Sequence, residues 1–303
     1  MQSTELVSPA DFARETGQDK DLLRKWRQRY GFPELHSDAT GTRGYTRQQI
    51  VRLRLILRLQ QAGLPPARTI DRPMEELEQY CATLAPAAVA DASVGRAIGL
   101  LRSVRPAEFD AWLGAQRADR GLADFVNGLA VPLTVAVGQA WAAGEIDIYH
   151  EHLYSAVLAS HLELAAAAAP RPAEGAPRVL FATLHGEHHA LGLLMTRALF
   201  AEQGAECIHL GTDLPAGDVV AAATGFQADI VALSFSFAYP KRHVLPDLKH
   251  LRSALPQRIA LWAGGAATRG IRRPPRGVGL FDDLPAACTA IAQRLAQATH
   301  ASA

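Results

Sequence analysis

From residue 178 onward, short apolar segments rich in strand-forming residues alternate with helix-like stretches. The strand-like segments cover residues 178–184, 205–211, 229–235, 258–263 and 278–281. Strict alternation of strand and helix favours parallel strands joined by right-handed helical crossovers. The sequence therefore predicts a five-stranded, doubly wound, Rossmann-like α/β domain over residues 177–303. No Gly-x-Gly-x-x-Gly follows the first strand, which argues against a dinucleotide site.

A proline-rich linker at residues 170–177 separates this domain from a helical middle region, residues 74–169. Helical periodicity predicts a four-helix bundle preceded by a linking helix, with helices over residues 74–84, 87–104, 107–117, 122–143 and 148–169. Pro132 is expected to kink or divide the fourth of these helices. With 303 residues and 49% hydrophobic content, the chain is long enough for two or three domains.

The amino-terminal region, residues 1–73, has the pattern of a winged helix-turn-helix. Ser8-Pro9 opens a first helix that runs to Glu15, Gly17 supplies a turn, and Asp19 caps a second helix from Lys20 to Tyr30. A glycine-rich hairpin over residues 39–45, with Arg43 at its tip, is followed by a third helix over residues 47–61. These elements together predict a DNA-binding domain.

The second helix is expected to read the DNA major groove. Helical spacing buries Leu22, Leu23 and Trp26 and leaves four basic side chains exposed, namely Lys20, Arg24, Lys25 and Arg27. Residues 24–72 contain eleven Lys or Arg and three acidic residues, a local net charge of +8 in a chain of net charge +1. This excess is typical of phosphate-backbone binding. An alternative is a charged helix pair that binds another protein.

Residues 7–70 resemble the winged domain of the MerR family. The resemblance implies that the wing residues Arg43 and Tyr45 contact the DNA backbone. Many MerR-type proteins dimerise through a coiled coil after this domain, but Gly63-Leu-Pro-Pro66 and Pro73 interrupt any heptad pattern here. Assembly into a homo-oligomer, a dimer or tetramer, is therefore expected to depend on the effector domains.

Glu187-His188-His189 follows the first strand of the α/β domain, where ligands bind in open α/β sheets. His189 can reach a metal, and Glu187 can accept a hydrogen bond from its other ring nitrogen. Gly192 would let a bulky planar ligand approach the backbone. For a single histidine, the alternative is a solvated loop residue.

Glu-x-His-x-x-Gly resembles the cobalamin-binding motif, usually Asp-x-His-x-x-Gly, in which the histidine replaces the cofactor's own base beneath cobalt. By this resemblance His189 is a cobalt ligand. The motif continues with Ser-x-Leu and Gly-Gly, matched here by Ser234-Phe235-Ser236, with Ser236 in place of Leu, and by Gly264-Gly265. The resemblance covers roughly residues 177–300.

Trp141 and Glu151-His152 resemble the Trp-x9-Glu-His signature of light-sensing, cobalamin-dependent regulators of the CarH/LitR type. The sequence places Trp141 at a helix end before Gly144, and Glu151 and His152 in the next helix, capped by Asp147. The resemblance implies that the bundle covers the upper face of adenosylcobalamin, with Trp141 and Glu151 around the adenosyl group. It also implies that His152 binds cobalt after light removes that group. Without the resemblance, Trp141 would be a core aromatic and His152 a surface residue.

Other functional classes receive little support. No uninterrupted apolar run approaches the 18 residues of a membrane span, and the three cysteines are too far apart in sequence for a zinc motif or a disulfide framework. We therefore expect a cytoplasmic protein that does not enter a membrane, and the regulator that the resemblances imply would not be an enzyme.

The hypothesis from sequence is a light-responsive transcription factor, a repressor, that binds operator DNA and adenosylcobalamin and changes its oligomeric state on photolysis. Three alternatives remain open. The first is a regulator that senses cobalamin without light. The second is a corrinoid-carrying module of a methyltransferase. The third is a metal sensor that uses His185, His188 and His189.

Overall fold

The computed structural model describes residues 6–38, 41–61, 64–83 and 92–301. The chain forms two compact units. The first comprises Met1–Phe109 and Val131–Tyr154, and the second comprises Asp110–Ala130 and Ser155–Ala303. The structure contains a winged helix-turn-helix region, a helical region and a doubly wound α/β domain, and this confirms the predicted fold class.

Capping residues set the limits of the first two helices. Helix α1 spans Pro9–Thr16, where the Ser8 hydroxyl accepts a hydrogen bond from the Asp11 N–H. Helix α2 spans Lys20–Tyr30, where the Asp19 carboxylate accepts from the Asp21 N–H. Side-chain acceptors at this position satisfy N–H groups that the first helical turn leaves free. The predicted limits are confirmed, although Leu22, expected inside, is 38% exposed.

The wing is a short antiparallel pair, β1 (His36–Ser37) and β2 (Arg43–Gly44). Arg43 lies in β2, opposite Ser37, so the prediction that it occupies the hairpin tip is wrong. The earlier part of the predicted hairpin, residues 39 and 40, lies outside the described residues. Helix α3 follows at Arg47–Gln61, as predicted.

The middle region is helical, as predicted. Its helices are α4 (Met74–Thr83), α5 (Ala92–Arg102), α6 (Pro106–Arg120), α7 (Leu122–Asp124), α8 (Val131–Ala142) and α9 (Ile148–Ala168). Residues 87–91, the expected start of the second helix, are outside the described part of the chain. Between α7 and α8, residues Phe125–Ala130 form a π-helical segment. It ends two residues before Pro132, whose missing N–H interrupts the α-helical bonding pattern, so the interruption expected at this proline is confirmed.

Residues Leu122–Ala142 form one helical stretch that is long and apolar enough to cross a membrane by length and composition alone. Core helices of globular proteins pass the same criteria. Several of its large side chains are fully buried within the protein, including Phe125, Leu129 and Leu133. This packing favours a core helix.

The α/β domain contains one parallel sheet among the described residues, with strand order β4-β3-β5-β6-β7. Its strands are β3 (Arg178–Ala182), β4 (Glu206–His209), β5 (Ile230–Ser234), β6 (Ala260–Gly264) and β7 (Val278–Phe281). They agree with the predicted strands to within two residues. The connecting helices are α10 (Leu191–Glu202), α11 (Ala216–Gly225) and α12 (Lys241–Ala254), and α13 (Leu284–Ala301) follows β7.

Apolar residues cover both faces of this sheet. Leu180 and Leu233 pack with Val244 of α12 on one face, whereas Val179 and Phe181 pack with other buried residues on the opposite face. Adjacent strand residues point to opposite faces, which is why both members of such pairs are apolar in a doubly covered sheet. The loops at the carboxyl ends of the strands remain available for a site.

Candidate functional site

The fully buried Thr183 fixes the loop that follows β3. Its hydroxyl donates a 2.6 Å hydrogen bond to the Glu187 carbonyl and accepts one of 3.0 Å from the Asp213 N–H. The Thr183 carbonyl also accepts from the Leu214 N–H at 3.0 Å. These bonds fix the path of residues 183–187 and so fix the positions of Glu187 and His189.

Glu187 is buried and its carboxylate accepts four hydrogen bonds. Two come from His189, through its backbone N–H at 2.9 Å and its Nδ1 at 2.8 Å. Two come from Ser236, through its backbone N–H at 2.7 Å and its hydroxyl at 3.1 Å. Burial alone would raise the pKa of Glu187, but the hydrogen bonds from His189 and Ser236 outweigh it and lower the pKa. Glu187 is therefore ionised at neutral pH.

An ionised acceptor at Nδ1 determines the state of the His189 ring. Nδ1 carries the proton that Glu187 accepts, so the lone pair resides on Nε2. The side chain is half exposed, and Nε2 is the nitrogen available to a ligand. The carboxylate partner also fixes the orientation of the imidazole ring. This donor arrangement fits a transition metal such as the cobalt of a corrinoid.

Ser234 and Ser236 lie at the carboxyl end of β5, on either side of buried Phe235. Ser236, which stands where the cobalamin motif has Leu, completes a Ser–Glu–His set because its hydroxyl also lies 3.2 Å from His189 Nδ1. The side chain of Ser234 explains Gly192, since a Cβ at Gly192 would lie 3.0 Å from the Ser234 hydroxyl oxygen. The close packing of α10 on β5 therefore favours a residue without a side chain at position 192.

Gly264 and Gly265 end β6 beside the same loop. Gly265 has φ +107°, and a Cβ there would overlap the Phe235 carbonyl oxygen. A Cβ at Gly264 would lie 3.2 Å from the Phe281 carbonyl oxygen. At position 265 only glycine permits this close backbone approach, whereas a Cβ at position 264 would require the Phe281 carbonyl to shift slightly. Six of the seven predicted residues of the α/β site, namely Glu187, His189, Ser234, Ser236, Gly264 and Gly265, therefore lie at the carboxyl ends of three adjacent strands, and the seventh, Gly192, lies in α10.

Phe237 is a site residue that the sequence reasoning missed. Its ring centroid lies 5.5 Å from that of His189, and the side chain is 46% exposed. A large apolar side chain directly after the Ser-x-Ser segment was the available signal. Its position beside the imidazole gives the site an apolar wall suited to a planar ligand.

His185 and His188 do not form a metal site with His189. Both interact with Asp213, through Nδ1–Oδ1 at 3.0 Å for His185 and Nδ1–Oδ2 at 3.9 Å for His188. Within the described residues, no group of three or more His, Cys, Asp or Glu side chains is arranged to hold a metal ion. The structure therefore gives no support to the histidine-cluster metal sensor.

Trp141 lies near the end of α8, as predicted, and Gly144 follows with φ +73°. The guanidinium of Arg54 from α3 lies over the Trp141 ring at 4.9 Å, and it donates a 3.2 Å hydrogen bond to the Trp141 carbonyl. The Trp141 Nε1 is buried and has no hydrogen-bond partner among the described residues. Trp141 is thus a contact point between α3 and α8, a role that its local sequence did not reveal.

Glu151 and His152 lie in the first two turns of α9, as predicted. Glu151 Oε2 and His152 Nδ1 are 2.7 Å apart, and the His152 side chain is 72% exposed. Asp147 stands at the start of α9, where its carbonyl accepts from the His150 N–H at 3.1 Å and its own N–H donates to His150 Nδ1 at 3.0 Å. Trp141, Glu151 and His152 all belong to the first unit of the chain.

The predicted DNA-contacting side chains of α2 are exposed, namely Lys20, Arg24, Lys25 and Arg27, and Arg43 of the wing is exposed as well. Tyr45 is different because it is 5% exposed and its ring packs on Phe12 with centroids 4.3 Å apart. Its hydroxyl accepts a 3.3 Å hydrogen bond from Arg27. Tyr45 therefore orients a basic side chain of α2 within the winged domain.

Three protein-family models match successive parts of the chain. Residues 7–75 match the MerR HTH family regulatory protein model. Residues 100–165 and 177–274 match two models that are each described as a B12 binding domain. The chain therefore combines a DNA-binding helix-turn-helix with cobalamin-binding domains.

Two proteins of Myxococcus xanthus are similar over most of the chain. The HTH-type transcriptional repressor CarA is 30% identical over 231 residues, which cover 74% of each protein. The HTH-type transcriptional repressor CarH is 29% identical over 273 residues, which cover 82% of this chain and 85% of CarH.

Among solved structures, the monomethylamine corrinoid protein of Methanosarcina barkeri matches with a TM-score of 0.50 at 16% identity. The match covers 66% of this chain and 96% of that protein. At this identity the likeness shows the fold alone.

Proposed function

We propose that this chain is a light-responsive transcriptional repressor. The proposal starts from its family, since the chain belongs to the MerR-type regulators with cobalamin-binding domains that include CarA and CarH. Its cofactor would be adenosylcobalamin and its target operator DNA in the cytoplasm. Light would change its oligomeric state and its affinity for DNA. In this proposal the chain is a regulator and performs no catalysis.

The observation that carries the cofactor assignment is the Ser236–Glu187–His189 set. A buried, ionised carboxylate holds the Nδ1 proton of His189 at 2.8 Å, which leaves Nε2 as the ligand atom. Glycines at positions 264 and 265 allow close backbone packing beside it. We propose that His189 binds cobalt from below and that Phe237, Ser234 and Gly192 contribute to the surrounding surface.

The residues of the first unit are assigned to the upper face. Bound adenosylcobalamin supplies a cobalt–carbon bond that light cleaves. We propose that Trp141 and Glu151 would hold the adenosyl group and that His152 would supply an imidazole ligand for cobalt in the illuminated protein. His152 is exposed, and its Nδ1 lies 2.7 Å from the Glu151 carboxylate. Its Nε2 is therefore available as a metal ligand, as is the Nε2 of His189.

Oligomerisation would link light to DNA binding. A winged domain contacts few phosphates, but several linked winged domains bind one operator with a high effective concentration. Dissociation of a dimer or tetramer in the light would remove this gain and release the DNA. We propose that the effector domains provide the oligomer contacts, since Gly63-Leu-Pro-Pro66 and Pro73 interrupt the heptads of a possible coiled coil.

The cofactor assignment is tested by His189→Ala in the full chain, with His185→Ala as the matched control. Both histidines lie in the same loop and both interact with a carboxylate. His189→Ala should weaken adenosylcobalamin binding and abolish the base-off, histidine-ligated absorption spectrum, whereas His185→Ala should retain both. Unchanged affinity and spectrum in His189→Ala would refute the assignment.

The light assignment is tested by absorption spectra and size-exclusion chromatography before and after green illumination. The wild type should change its spectrum, oligomer size and DNA affinity. His152→Ala should still undergo photolysis but should form no stable product with two histidine ligands, while His250→Ala should behave as the wild type. If illumination leaves DNA affinity unchanged at constant cofactor, the protein is instead a cobalamin sensor that does not use light.

A further inference from the structure

A second basic region lies in the α/β domain, far in sequence from the winged domain. Residues 241–276 contain nine Lys or Arg and one acidic residue, Asp247, a local net charge of +8. Residues 24–72 also carry a net charge of +8. Because the whole chain has a net charge of +1, all the other residues together carry −15. Such segregation of charge indicates a surface for a polyanion.

Helix α12 presents one basic flank. Val244, Leu248 and Leu251 are buried against the sheet. At 100° per residue, Lys241, Lys249 and Arg252 lie together on one side of that buried stripe. The single carboxylate, Asp247, lies on the other side of the stripe and accepts a 2.7 Å hydrogen bond from the Tyr239 hydroxyl. It therefore does not neutralise the basic flank.

Arg252 fixes this flank beside the neighbouring loops. Its guanidinium donates to the carbonyls of Ile259 at 2.6 Å, Leu255 at 2.9 Å and Pro256 at 2.8 Å. A Cβ at Gly277 would lie 3.3 Å from Arg252 Cδ. The turn before β6 and the loop before β7 therefore adjoin α12, and their basic side chains join those of the helix.

We define the basic face by six exposed side chains: Lys241, Lys249, Arg258, Arg272, Arg273 and Arg276. In the described part of the chain, none of them lies within 4.0 Å of a carboxylate oxygen in an ion pair. The two lysines on α12, Lys241 and Lys249, are separated by a rise of about 12 Å along the helix axis, which matches about three to four base pairs of DNA.

Two arginines of the basic face, Arg258 and Arg276, lie away from the cofactor site. Arg258 precedes β6 and Arg276 precedes β7, so both lie toward the amino ends of the parallel strands. His189 and Ser236 follow β3 and β5 at the carboxyl ends. Arg258 and Arg276 are therefore at the edge of the sheet opposite to His189 and Ser236, whereas Lys241, the first residue of α12, lies toward the carboxyl edge.

We propose that the basic face is a second DNA-binding surface, which contacts the phosphate backbone of double-stranded DNA without reading its sequence. Double-stranded DNA is favoured over other polyanions because the same chain carries a DNA-binding helix-turn-helix. Tethering gives the basic face a high effective concentration near DNA that the winged domain has bound. The face adds affinity and salt dependence, while α2 supplies base recognition.

The test compares Arg272→Gln/Arg273→Gln/Arg276→Gln with Arg96→Gln/Arg171→Gln/Arg294→Gln in the full chain loaded with cobalamin. The control triple removes the same charge from exposed positions elsewhere. Binding to a fluorescein-labelled 40-base-pair duplex of mixed sequence is measured by anisotropy at several salt concentrations. Each phosphate contact contributes about 0.9 to the slope of log K against log salt concentration. The face triple should lower the slope by about two to three, and the control triple should leave it unchanged.

A second variant, Lys241→Gln/Lys249→Gln, tests the helix flank and should lower the slope by about one to two. Thermal melts and cobalamin spectra identical to those of the wild type establish that each variant is folded. Equal slopes for the face triple and the control triple would overturn the proposal. An altered oligomer size with an unaltered slope would overturn it too, and would assign the face to contact between copies of this chain.

Discussion

Replacing Arg54 tests the contact that joins α3 to the end of α8. Arg54 is 3% exposed, and burial lowers its pKa, although a guanidinium remains charged at neutral pH. Its Nε and Nη2 donate to the Glu15 carbonyl at 3.2 and 3.0 Å, and its Nη1 donates to the Trp141 carbonyl at 3.2 Å. Arg54→Met keeps most of the aliphatic stem and removes all three hydrogen bonds.

The expected cost follows from these contacts. Hydrogen bonds from a charged donor each contribute about 1.5–3 kcal/mol, and a desolvated cation–π contact contributes about 2 kcal/mol. Removing the guanidinium also relieves its desolvation cost, which offsets several kcal/mol of that sum. We expect Arg54→Met to destabilise the first unit by about 2–3 kcal/mol. With a urea m value of about 2 kcal/mol per molar, the unfolding midpoint falls by about 1 M.

The assay is urea unfolding followed by tryptophan fluorescence. The matched control is Arg47→Met on the same helix, since Arg47 also faces Glu15 but is 69% exposed and lies 3.9 Å from its carboxylate. An exposed pair of this kind is worth less than about 1 kcal/mol. The reasoning fails if Arg54→Met unfolds at the wild-type midpoint, or if Arg47→Met loses as much stability.

Three further predictions address the glycine pair, the edge strand and the wing. Gly265→Ala should destabilise the α/β domain by at least about 2 kcal/mol because the new Cβ overlaps the Phe235 carbonyl at a positive φ. Gly99→Ala, in an open helical position, should not destabilise the protein in the same melts. His209 has a pKa lowered from 6.5 mainly by burial, so the folded protein takes up a proton less readily than the unfolded chain. Stability should therefore fall as the pH drops below 6.5, and His209→Gln should show a shallower fall in urea midpoints between pH 7.5 and 5.5; an equal fall would contradict this. Arg43→Ala should reduce the salt slope of DNA binding by about one contact, whereas a footprint changed at a single base would indicate base readout instead.

Local signals in the sequence located most elements closely. The hydroxyl of Ser8 and the carboxylate of Asp19 bond within the first turn of their own helices, so they mark helix starts without any tertiary information. Pro132 also acts locally, since its missing backbone N–H interrupts a long helix without any tertiary contact. At Asp147 the sequence indicated the position at the start of α9, where the Asp147 carbonyl accepts the first helical hydrogen bonds, but not the bond from its N–H to the His150 ring.

The candidate site was predicted residue by residue from motif spacing, but its internal bonding was not. Ser236 appeared as a departure from Leu, and the structure gives it two hydrogen bonds to Glu187. Phe237 was missed because an apolar residue in a loop has no periodicity to distinguish it. Its importance depends on a neighbour 48 residues away in the chain, His189, whose ring it adjoins.

By itself the sequence determined the order of helices and strands, the parallel sheet and the residues gathered at its carboxyl edge, because these depend on periodicity, caps and strand direction. Only the tertiary structure decided what each of these residues touches. Arg54 and Trp141 lie 87 positions apart in the chain. The atoms that a Cβ at Gly192 or Gly265 would meet belong to Ser234 and Phe235, which are also distant in sequence. No local pattern encodes such contacts, since they arise only when packing brings distant segments within hydrogen-bonding distance.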